Sequence, residues 1–393
     1  MTADAALADD VAAAFRGTFG TEPAGVWSAP GRVNLIGEHT DYNNGLCLPM
    51  AIPRRTFVAA AARADRTVRL VSRQVPGPRS IPLDDVAKGR RGGWAAYAVG
   101  VLWALEQAGH PVRGLDLVVD GRVPLGAGLS SSAALECAVA VAAVDLFGLE
   151  GLADGVGRQA LAAACVRAEN EIAGAPTGGM DQAASLLASR DHALLLDFDG
   201  DHAPRDIPFD LGAHGLSLLV MNTRAEHSLD DGQYGNRREE CMAAARELGV
   251  SSLRAVTPDS LNAALERLSS PVLRRRVGHV VTEVDRVVRT VAALEADDFR
   301  ALGGLFDASH ASMRDDFAIS CAELDCAVDT ARAAGALAAR MTGGGFGGSA
   351  IAVVPASSVD AISVAVREAF SAKGFREPEL FAVTADGPAG RER

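Results

Sequence analysis

Residues 124–134 read Pro124-Leu125-Gly126-Ala127-Gly128-Leu129-Ser130-Ser131-Ser132-Ala133-Ala134, and this stretch is the most informative about the fold. An alanine-rich apolar run follows the serines and predicts a helix that begins near Ser131. Glycines let a backbone approach a bulky anion, and the first turn of a helix presents unpaired N–H groups. Serine hydroxyls can cap the helix, bind phosphate oxygens or bind Mg²⁺. The stretch therefore predicts a phosphate-binding loop without the P-loop lysine, although for the glycines alone a simple helix-capping turn is the alternative.

The length and charge of the chain limit the class of protein. At 393 residues the chain exceeds the length at which one hydrophobic core stops growing, so two domains are expected. Hydrophobic residues make up 48% of the chain and charged residues 22%, as in ordinary globular proteins. The net charge of −12 argues against a nucleic-acid-binding surface, which needs a basic face. An acidic protein can still bind a nucleotide, because backbone N–H groups and Mg²⁺ hold its phosphates.

The sequence predicts a cytoplasmic protein that does not contact a membrane. Its first residues include three aspartates and no basic cluster, so we expect no signal peptide. The most apolar long run, 133–147, is interrupted by Glu136 and Asp145 and is too short to cross a bilayer. Six cysteines are scattered without a C-x-x-C pair, and they predict reduced thiols, with Cys137 and Cys165 buried. The eight histidines show no metal-binding spacing, so zinc is not indicated.

Strands and long helices alternate along the chain, which predicts an α/β or α+β fold rather than a helical bundle. Strands are expected at 26–36, 46–52, 56–62, 67–72, 115–119, 193–198, 216–222, 350–354 and 380–384. Helices are expected at 5–15, 94–108, 131–147, 158–173, 237–248, 258–268, 273–294, 322–334 and 359–370. The segment 75–82 is expected at the surface. A polar linker at 199–210 is the expected domain boundary, which gives domains of residues 1–205 and 206–393.

Two of these helices have predicted core-facing residues. The helix after Ser131 places Leu135, Val139, Ala142 and Leu146 on one face. The helix over 158–173 has an inward stripe of Leu161, Cys165, Ala168 and Ile172, and Glu169 shares this stripe. A carboxylate on a core-facing stripe needs a partner, because burying it alone is costly. A salt bridge at the edge of the stripe is one explanation, and a bound cation is the one that we favour.

A polar segment follows the first predicted strand. Residues 30–42 read Pro-Gly-Arg-Val-Asn-Leu-Ile-Gly-Glu-His-Thr-Asp-Tyr, which places four polar side chains at consecutive positions 38–41. Carboxylate and imidazole groups accept and donate the hydrogen bonds that a ring of sugar hydroxyls requires. Arg32 is a permanent cation that could lie against a transferring phosphoryl group. Taken singly, Arg32 could be a surface charge, Asp41 a turn cap and His39 an ordinary loop histidine, but their clustering beside two glycines favours a binding site.

Two more glycine-rich segments lie further along the chain. Residues 177–182 read Thr-Gly-Gly-Met-Asp-Gln, where Asp181 could cap a helix or face a substrate hydroxyl. Residues 341–349 contain five glycines between a predicted helix and a strand. A mere linker would be unusual directly before a hydrophobic strand, so we expect this segment to pack against the nucleotide or against the loop at 124–134.

The blocks 31–42, 124–134 and 342–349 resemble, in order and spacing, three motifs of the GHMP kinase superfamily. Residues 31–43 resemble the signature of the galactokinase family in particular. Asn222-Thr223, His227-Ser228 and Tyr234 resemble a further galactokinase segment. One departure is Thr177-Gly178-Gly179 after Pro176, where galactokinases more often have Cys-Gly-Ile, but Met180-Asp181 is retained. The resemblance implies an α+β, two-domain GHMP kinase fold, with an N-terminal domain like ribosomal protein S5 domain 2, a ferredoxin-like C-terminal domain and an active site in the cleft between them.

The resemblance also implies the site residues. Contacts to the sugar are expected from Glu38, His39, Thr40, Asp41, Gly178 and Tyr234. ATP contacts are expected from Ser72 and from the loop residues Gly126, Ala127, Gly128, Leu129, Ser130, Ser131 and Ser132. Ser132 and Glu169 are expected to hold Mg²⁺. Asp181 and Arg32 are the expected catalytic residues, with Asp181 either taking the proton of the reacting hydroxyl or orienting it.

The implied activity is transfer of the γ-phosphoryl group of ATP to the C1 hydroxyl of galactose. Alternatives within the superfamily are kinases acting on N-acetylgalactosamine, arabinose or a non-sugar alcohol such as mevalonate. A galactose- and ATP-dependent regulatory binder without turnover is the alternative from another class, although such a binder need not keep Arg32, Ser132, Glu169 and Asp181. Galactose and ATP are the expected partners, with no nucleic acid and no membrane. A monomer is expected, with a weak homodimer as the alternative.

Overall fold

The computed structural model describes residues 3–89, 92–200, 202–225 and 232–393. The strands of these residues are β1 (Gly25–Asn34), β2 (Leu46–Cys47), β3 (Pro49–Ala62), β4 (Thr67–Ser72), β5 (Arg79–Pro82), β6 (Leu115–Gly121), β7 (His192–Asp197), β8 (Arg205–Pro208), β9 (Leu216–Asn222), β10 (Ala338–Thr342), β11 (Ser349–Pro355), β12 (Glu379–Val383) and β13 (Gly390–Arg391). The α-helices are α1 (Ala3–Phe19), α2 (Ala95–Gln107), α3 (Ser131–Phe147), α4 (Gly155–Arg167), α5 (Met180–Leu187), α6 (Gln233–Leu248), α7 (Leu261–Arg267), α8 (Pro271–Glu295), α9 (Leu302–Asp315), α10 (Ala322–Ala333) and α11 (Val359–Ala372). A π-helix, Ala168–Ala173, continues directly from α4.

Three sheets organise these elements. The largest has the strand order β13-β1-β3-β6-β4-β5, in which only the β4–β6 pair is parallel. The second is an antiparallel sheet of order β10-β11-β9-β12, and the third is a small sheet of order β2-β7-β8. The last strand, β13, pairs with β1, so the end of the described chain returns to the sheet with which it began. The domain boundary expected near residue 205 stays a prediction.

Four main hydrophobic clusters lie against these sheets. One fills the space between the six-stranded sheet and helices α2, α3 and α4, and α1 covers the opposite face of that sheet. Another lies between the four-stranded sheet and helices α6, α8, α10 and α11. A further cluster joins both halves of the chain, since it contains Leu35 and Met50 as well as Phe306 and Ile351. This shared core holds the loops after β1 and β6 against strands β10 and β11.

Helix α3 is buried on nearly all sides, which differs from the single apolar face predicted from its sequence. Every residue from Ala133 to Val144 is buried, whereas Leu146 is only partly buried. Small alanine side chains allow this helix to lie close to strands β1 and β3 on one side and to α2 and α4 on the other. A helix that is apolar all round belongs in the interior of a protein, and α3 is such a helix.

Local sequence patterns predicted many elements well and failed where tertiary contacts decide. Strands β4 and β9 occur at the predicted residues. The predicted strand at 56–62 is wrong as a separate element, because β3 runs unbroken from Pro49 to Ala62. Strands β5 and β8 lie inside segments predicted to be irregular. Helices α5 and α9 and strand β10 were missed: α5 has only eight residues, α9 carries two glycines near its start, and β10 has an arginine at its centre.

The cysteine and membrane expectations can be compared with the structure. All six cysteines are free thiols, and Cys137 and Cys165 are buried as predicted. Across the described residues, no helix has the length and apolar character that a membrane span requires.

Candidate active site

The loop between β6 and α3 exposes part of its backbone, and every second residue is buried and anchors the loop. Gly126 and Gly128 are exposed and have positive φ values of 69° and 70°, whereas Ala127 and Leu129 are buried in the core shared by both halves. Ser130 also has a positive φ, 61°, which is uncommon for a residue other than glycine. Helix α3 begins at Ser131 as predicted, but Ser130 at the N-cap makes no side-chain cap hydrogen bond. The capping alternative is therefore wrong for this serine.

The glycine-rich segment after β10 packs directly on this loop, as the sequence predicted. A Cβ atom at Gly343 would lie 2.9 Å from the carbonyl oxygen of Gly128, and one at Gly348 would lie 3.1 Å from that of Ala127. The Ser349 hydroxyl donates a hydrogen bond to the Ala127 carbonyl at 2.7 Å. Only glycines allow the two backbones to approach this closely.

Strand β1 contacts the same loop from the other side. A Cβ atom at Gly31 would lie 2.6 Å from the carbonyl oxygen of Leu129, and the Arg32 N–H donates to that carbonyl at 3.1 Å. The pairing of β1 with β3 shifts register between Pro30 and Arg32, and such irregularities re-aim a side chain. The three motifs of the sequence thus meet at the loop formed by residues 124–130.

Arg32 and Asp181 form the centre of this meeting point. The Arg32 guanidinium donates from Nε to Asp181 Oδ1 at 2.8 Å and from Nη1 to the Gly128 carbonyl at 2.6 Å. The second carboxylate oxygen of Asp181 accepts a hydrogen bond from the Ser130 hydroxyl. Asp181 lies in the first turn of α5, where the helix dipole favours a carboxylate. The Asp181 side chain is 20% exposed, so the most tightly held carboxylate of the site is still open to a ligand.

Glu169 lies beside this pair, and nothing charged neutralises it directly. It belongs to the π-helix, a rare element that often occurs at functional sites, and it is buried as its core-facing position predicted. Burial and the Asp181 charge raise the pKa of Glu169 to about 7, although hydrogen bonds from Ser132 and Gln182 and the Arg32 charge lower it. No salt bridge to Glu169 occurs in the described part of the chain, so the salt-bridge explanation does not hold there.

The Ser132 and Glu169 pair fits Mg²⁺ bound together with phosphate. Both side chains offer hard oxygen donors, and Mg²⁺ typically takes one or two protein oxygens besides substrate phosphates and water. The raised pKa of Glu169 reports a buried negative charge that a cation would relieve. Among the described residues, no cluster of three or more His, Cys, Asp or Glu side chains could hold a metal unaided. The site therefore suits a metal ion that arrives with nucleotide phosphates.

Asp41 and Gly178 form the next part of the site. A Cβ atom at Gly178 would lie 2.1 Å from Asp41 Oδ2, so a larger residue at this position would displace the Asp41 carboxylate. Burial and, to a smaller extent, the Asp181 charge raise the pKa of Asp41 to about 6, although backbone N–H groups lower it. Two carboxylates, Asp41 and Asp181, thus flank the backbone at Gly178 and offer acceptors to a polyhydroxyl ligand.

His39 lies in a group of aromatic rings next to Asp41. Its Nδ1 lies 2.7 Å from the Tyr42 hydroxyl and its Nε2 lies 3.0 Å from the Gly344 carbonyl. Since a carbonyl only accepts, Nε2 carries the hydrogen and Nδ1 accepts from Tyr42. Burial lowers the pKa of His39 to about 3, so the ring is neutral. Its centroid lies 5.0 Å from that of Tyr234 and 4.8 Å from that of Phe317, which makes an apolar wall beside the carboxylates.

Glu38 and Thr40 face the interior and already have protein partners. Thr40 is fully buried, and its hydroxyl donates to backbone carbonyls of the same loop, Gly37 at 2.8 Å or Leu46 at 2.7 Å. Glu38 forms an ion pair with Arg340 and accepts from the Gly343 N–H at 3.1 Å. These contacts shape the loop after β1, and sugar contacts from both residues stay predictions.

Arg340 and Glu283 extend this buried ion cluster. Arg340 Nη1 donates to the Leu35 carbonyl at 2.7 Å. Glu283 on α8 accepts from the Gly37 N–H at 3.0 Å, and Arg286 Nε donates to it at 2.7 Å. We call Glu38, Glu283, Arg286 and Arg340 the clamp cluster, because they fix the loop after β1 to the second half of the chain.

The expected ATP contact at Ser72 is not among the residues that these interactions bring together. Ser72 ends β4, and its hydroxyl oxygen accepts from the N–H groups of Gln74 at 3.1 Å and Val75 at 3.2 Å. A contact with ATP stays a prediction for Ser72. His227 and Ser228 lie outside the described residues.

Sequence analysis missed two buried residues next to Glu169, the candidate metal ligand. Gln182 is fully buried and donates from Nε2 to Glu136 at 3.0 Å and also to Glu169. We call Glu136, Glu169 and Gln182 the metal-side cluster. The signal for Glu136 was present in the sequence, since it is a carboxylate in the middle of an apolar helix, but its partner could not be known without the fold.

The fold and the site define a class of protein, the ATP-dependent small-molecule kinases, and the glycine- and serine-rich loop at a helix N-terminus suits phosphate binding. Matches to known family signatures agree with this class. Residues 13–62 match the galactokinase galactose-binding signature, residues 96–189 the N-terminal domain of GHMP kinases and residues 290–372 their C-terminal domain.

Relatives and solved structures narrow the class. The chain is 51% identical to a galactokinase of Streptomyces coelicolor, over 98% of this chain and 99% of that one. It is 47% identical to a galactokinase of Mycobacterium tuberculosis, over 90% of this chain and 95% of that one. The crystal structure of Lactococcus lactis galactokinase complexed with galactose superposes with a TM-score of 0.91 at 32% identity, covering 99% of this chain and 100% of that one. Methanococcus jannaschii mevalonate kinase, at 16% identity and a TM-score of 0.64 over 92% and 98% of the two chains, shares the fold.

The chain belongs to the galactokinase family of GHMP kinases. The GHMP kinase fold predicted from the sequence is confirmed, and so is the prediction of an ATP-dependent sugar kinase.

Proposed function

We propose that this protein transfers the γ-phosphoryl group of ATP to the C1 hydroxyl of D-galactose, giving galactose 1-phosphate and ADP. The observation that carries the proposal is the position of Asp181. Its carboxylate is held by Arg32 and Ser130 at the phosphate loop, and it lies one short turn from the Gly178 backbone that packs on Asp41. A sugar held at Asp41 would therefore present a hydroxyl between Asp181 and the phosphates.

Phosphoryl transfer passes through a loose transition state, so the protein mainly positions the reactants and neutralises charge. Arg32 supplies a permanent positive charge whose position is fixed by Asp181 and the Gly128 carbonyl. Asp181 accepts the hydrogen bond of the C1 hydroxyl and either takes its proton or aligns its oxygen with the phosphorus. The exposed backbone at Gly126 and Gly128 and the N-terminus of α3 hold the phosphate oxygens.

Ser132 and Glu169 would hold the Mg²⁺ that accompanies ATP. Bound there, Mg²⁺ would neutralise negative charge on the phosphate oxygens. The protein's own part is to keep the Glu169 carboxylate dry and aimed at the phosphate loop, which the burial of Glu169 and its hydrogen bonds support.

Recognition of the sugar is assigned to the loop after β1, Gly178 and Tyr234. Asp41 offers carboxylate oxygens to sugar hydroxyls, and the neutral His39 and Tyr234 rings offer an apolar surface to the sugar's C–H groups. Glu38 and Thr40 set the backbone of this loop. The six free thiols support a reducing compartment such as the cytoplasm, and we propose that the enzyme acts as a monomer.

The decisive variant is Asp181→Ala. We expect kcat to fall about 10²–10⁴-fold, with the fold intact. Asp360→Ala is the matched control, because Asp360 occupies the corresponding position in the first turn of α11 and is exposed. Turnover of Asp181→Ala close to that of the parent would overturn the assignment.

Substrate identity is tested by ADP release with galactose, N-acetylgalactosamine, arabinose and mevalonate, each with and without Mg²⁺. We expect turnover to be highest with galactose and to require Mg²⁺. Galactose-dependent binding without ADP release would instead support a regulatory role, and mevalonate as the best substrate would refute the proposal.

A further inference from the structure

Glu136 and Gln182 form a fully buried polar pair beside the metal site, and the mechanism above does not use either. Glu136 lies on α3 one turn after Ser132, and Gln182 follows Asp181 on α5. The Gln182 amide nitrogen donates one hydrogen to Glu136 Oε2 at 3.0 Å and the other to Glu169 Oε2. Its two hydrogens are thus shared between two carboxyl groups.

Two oxygens of this pair have no partner if Glu136 is ionised. Glu136 Oε1 and Gln182 Oε1 are both buried without a hydrogen bond. An ionised carboxylate and an amide oxygen only accept, so they cannot satisfy each other, and leaving both unpaired is costly. A neutral carboxylic acid removes the conflict, because its O–H can donate to Gln182 Oε1 while its other oxygen accepts from Gln182 Nε2. Acid and amide then form a closed pair with two hydrogen bonds.

The surroundings of Glu136 agree with a neutral acid. The titratable groups that interact with it are the carboxyl groups of Glu169 and Asp181, the thiols of Cys137 and Cys165 and the Tyr97 hydroxyl. The two carboxyl groups and the Cys137 thiol raise its pKa. Burial is the largest cause and raises the pKa well above the ordinary value, while the hydrogen bond from Gln182 lowers it.

We propose that Glu136 is a positioning residue, held as the neutral acid, whose closed pair with Gln182 fixes the amide so that an N–H group always faces the Glu169 carboxylate. Without Glu136 the amide could rotate and turn its oxygen toward Glu169, where two acceptors would repel each other. The role of Glu169 as a metal ligand is part of the proposed function, so this inference depends on it, whereas the closed pair does not.

The test compares two substitutions at position 136. Glu136→Gln keeps the closed pair, because its amide can donate to Gln182 Oε1 and accept from Gln182 Nε2. Glu136→Leu has a similar size and removes both hydrogen bonds. Calorimetric titration of Mg²⁺ into the parent and into each variant, with excess ADP present, measures the affinity of each for the metal.

We expect Glu136→Gln to bind Mg²⁺ like the parent, and Glu136→Leu to bind it about 10–100-fold more weakly, as is typical when a group supporting a metal ligand is lost. The KM for galactose should be unchanged in both. Equal weakening in both variants would show that the negative charge of Glu136 matters, and unchanged affinity in both would show that Glu136 positions nothing. Either result overturns the proposal.

A second measurement does not depend on metal, activity or the stability of Glu136→Leu. The infrared spectrum of the ligand-free parent, recorded above the pKa of Glu169 so that Glu169 is ionised, should contain the carbonyl band of a protonated carboxylic acid that is missing from Glu136→Gln. Absence of that band in the parent would overturn the neutral acid. If the band is present but the enzyme fails to phosphorylate galactose, the proposed function is wrong. The closed pair of Glu136 and Gln182 would still stand.

Discussion

The metal-side cluster and the clamp cluster both bury carboxylates near the site, but only the clamp cluster contains cations. In the clamp cluster two carboxylates face the guanidinium groups of Arg286 and Arg340. In the metal-side cluster two carboxyl groups share one neutral amide, and Arg32, whose charge acts on Glu169, is engaged with Asp181. The charges of the clamp cluster are balanced within the chain. The negative charge of the metal-side cluster is balanced only when a ligand binds.

The pKa values of Glu283 and Glu169 record this difference. Burial alone raises the pKa of Glu283, but the charges of Arg286 and Arg340 hold it at about 2. Burial and the Asp181 charge raise the pKa of Glu169 to about 7, and no paired cation reverses the shift. At Glu283 and Glu169, similar burial therefore gives opposite shifts, because only Glu283 is paired with cations. Glu38 of the clamp cluster keeps a raised pKa, since burial outweighs the charge of its partner Arg340.

The largest expected effect comes from breaking the clamp cluster with Arg340→Met. Removing the cation leaves Glu38 and Glu283 buried without this partner, which should cost about 3–5 kcal/mol of unfolding free energy. Urea denaturation at neutral pH measures it. The matched control is Arg289→Met, because Arg289 is a mostly exposed arginine of α8 with only a 3.8 Å contact to Asp285, and it should change stability by less than about 0.5 kcal/mol. Equal losses in the two variants would contradict a special role for Arg340.

Glu283→Gln should cause the next largest loss of stability, and the size of this loss should depend on pH. Because the folded pKa of about 2 lies below the ordinary 4.5, the ionised group stabilises the fold above pH 4.5, and this contribution disappears as the pH falls toward 2. We expect a loss of about 3 kcal/mol at neutral pH, shrinking in acid. Urea denaturation across this pH range tests it, and a loss that stays constant with pH would show that the charge is not the cause.

Glu169→Gln should stabilise the protein instead of destabilising it, once metal has been removed with a chelator. Its folded pKa of about 7 lies above the ordinary 4.5, so the parent loses stability as the pH rises from 4.5 to 7. The variant should lack this loss and be more stable than the parent above pH 7, by at most about 3 kcal/mol. Denaturation with and without chelator measures it. A variant less stable than the parent at every pH would mean that Glu169 is already compensated within the chain.

Much of the site was predictable from the sequence because its signals are local. Two glycines followed by three serines predicted both the loop and the start of α3 at Ser131. The inward position of Glu169 followed from helical periodicity, although the change from α-helix to π-helix at Ala168 did not. The five glycines of residues 341–349 predicted that this segment packs closely on the nucleotide or on the loop at 124–134. Only the fold shows that Gly343 lies against the Gly128 carbonyl.

The remaining features depend on residues that are far apart in the chain. Arg340 and Glu38 are 302 positions apart, so nothing local marks their pairing, and a strand with arginine at its centre was missed for this reason. Glu136 and Gln182 are 46 positions apart and become partners only because α3 and α5 pack together.

The sequence by itself determined where the chain turns, which helix starts at the phosphate loop and which carboxylates are available, since these follow from backbone freedom and side-chain periodicity over a few residues. Only the tertiary structure decided which buried charges are paired. Desolvation and Coulomb interactions act through space, so the same residue type becomes a structural ion pair at Glu283 and an unpaired carboxylate at Glu169.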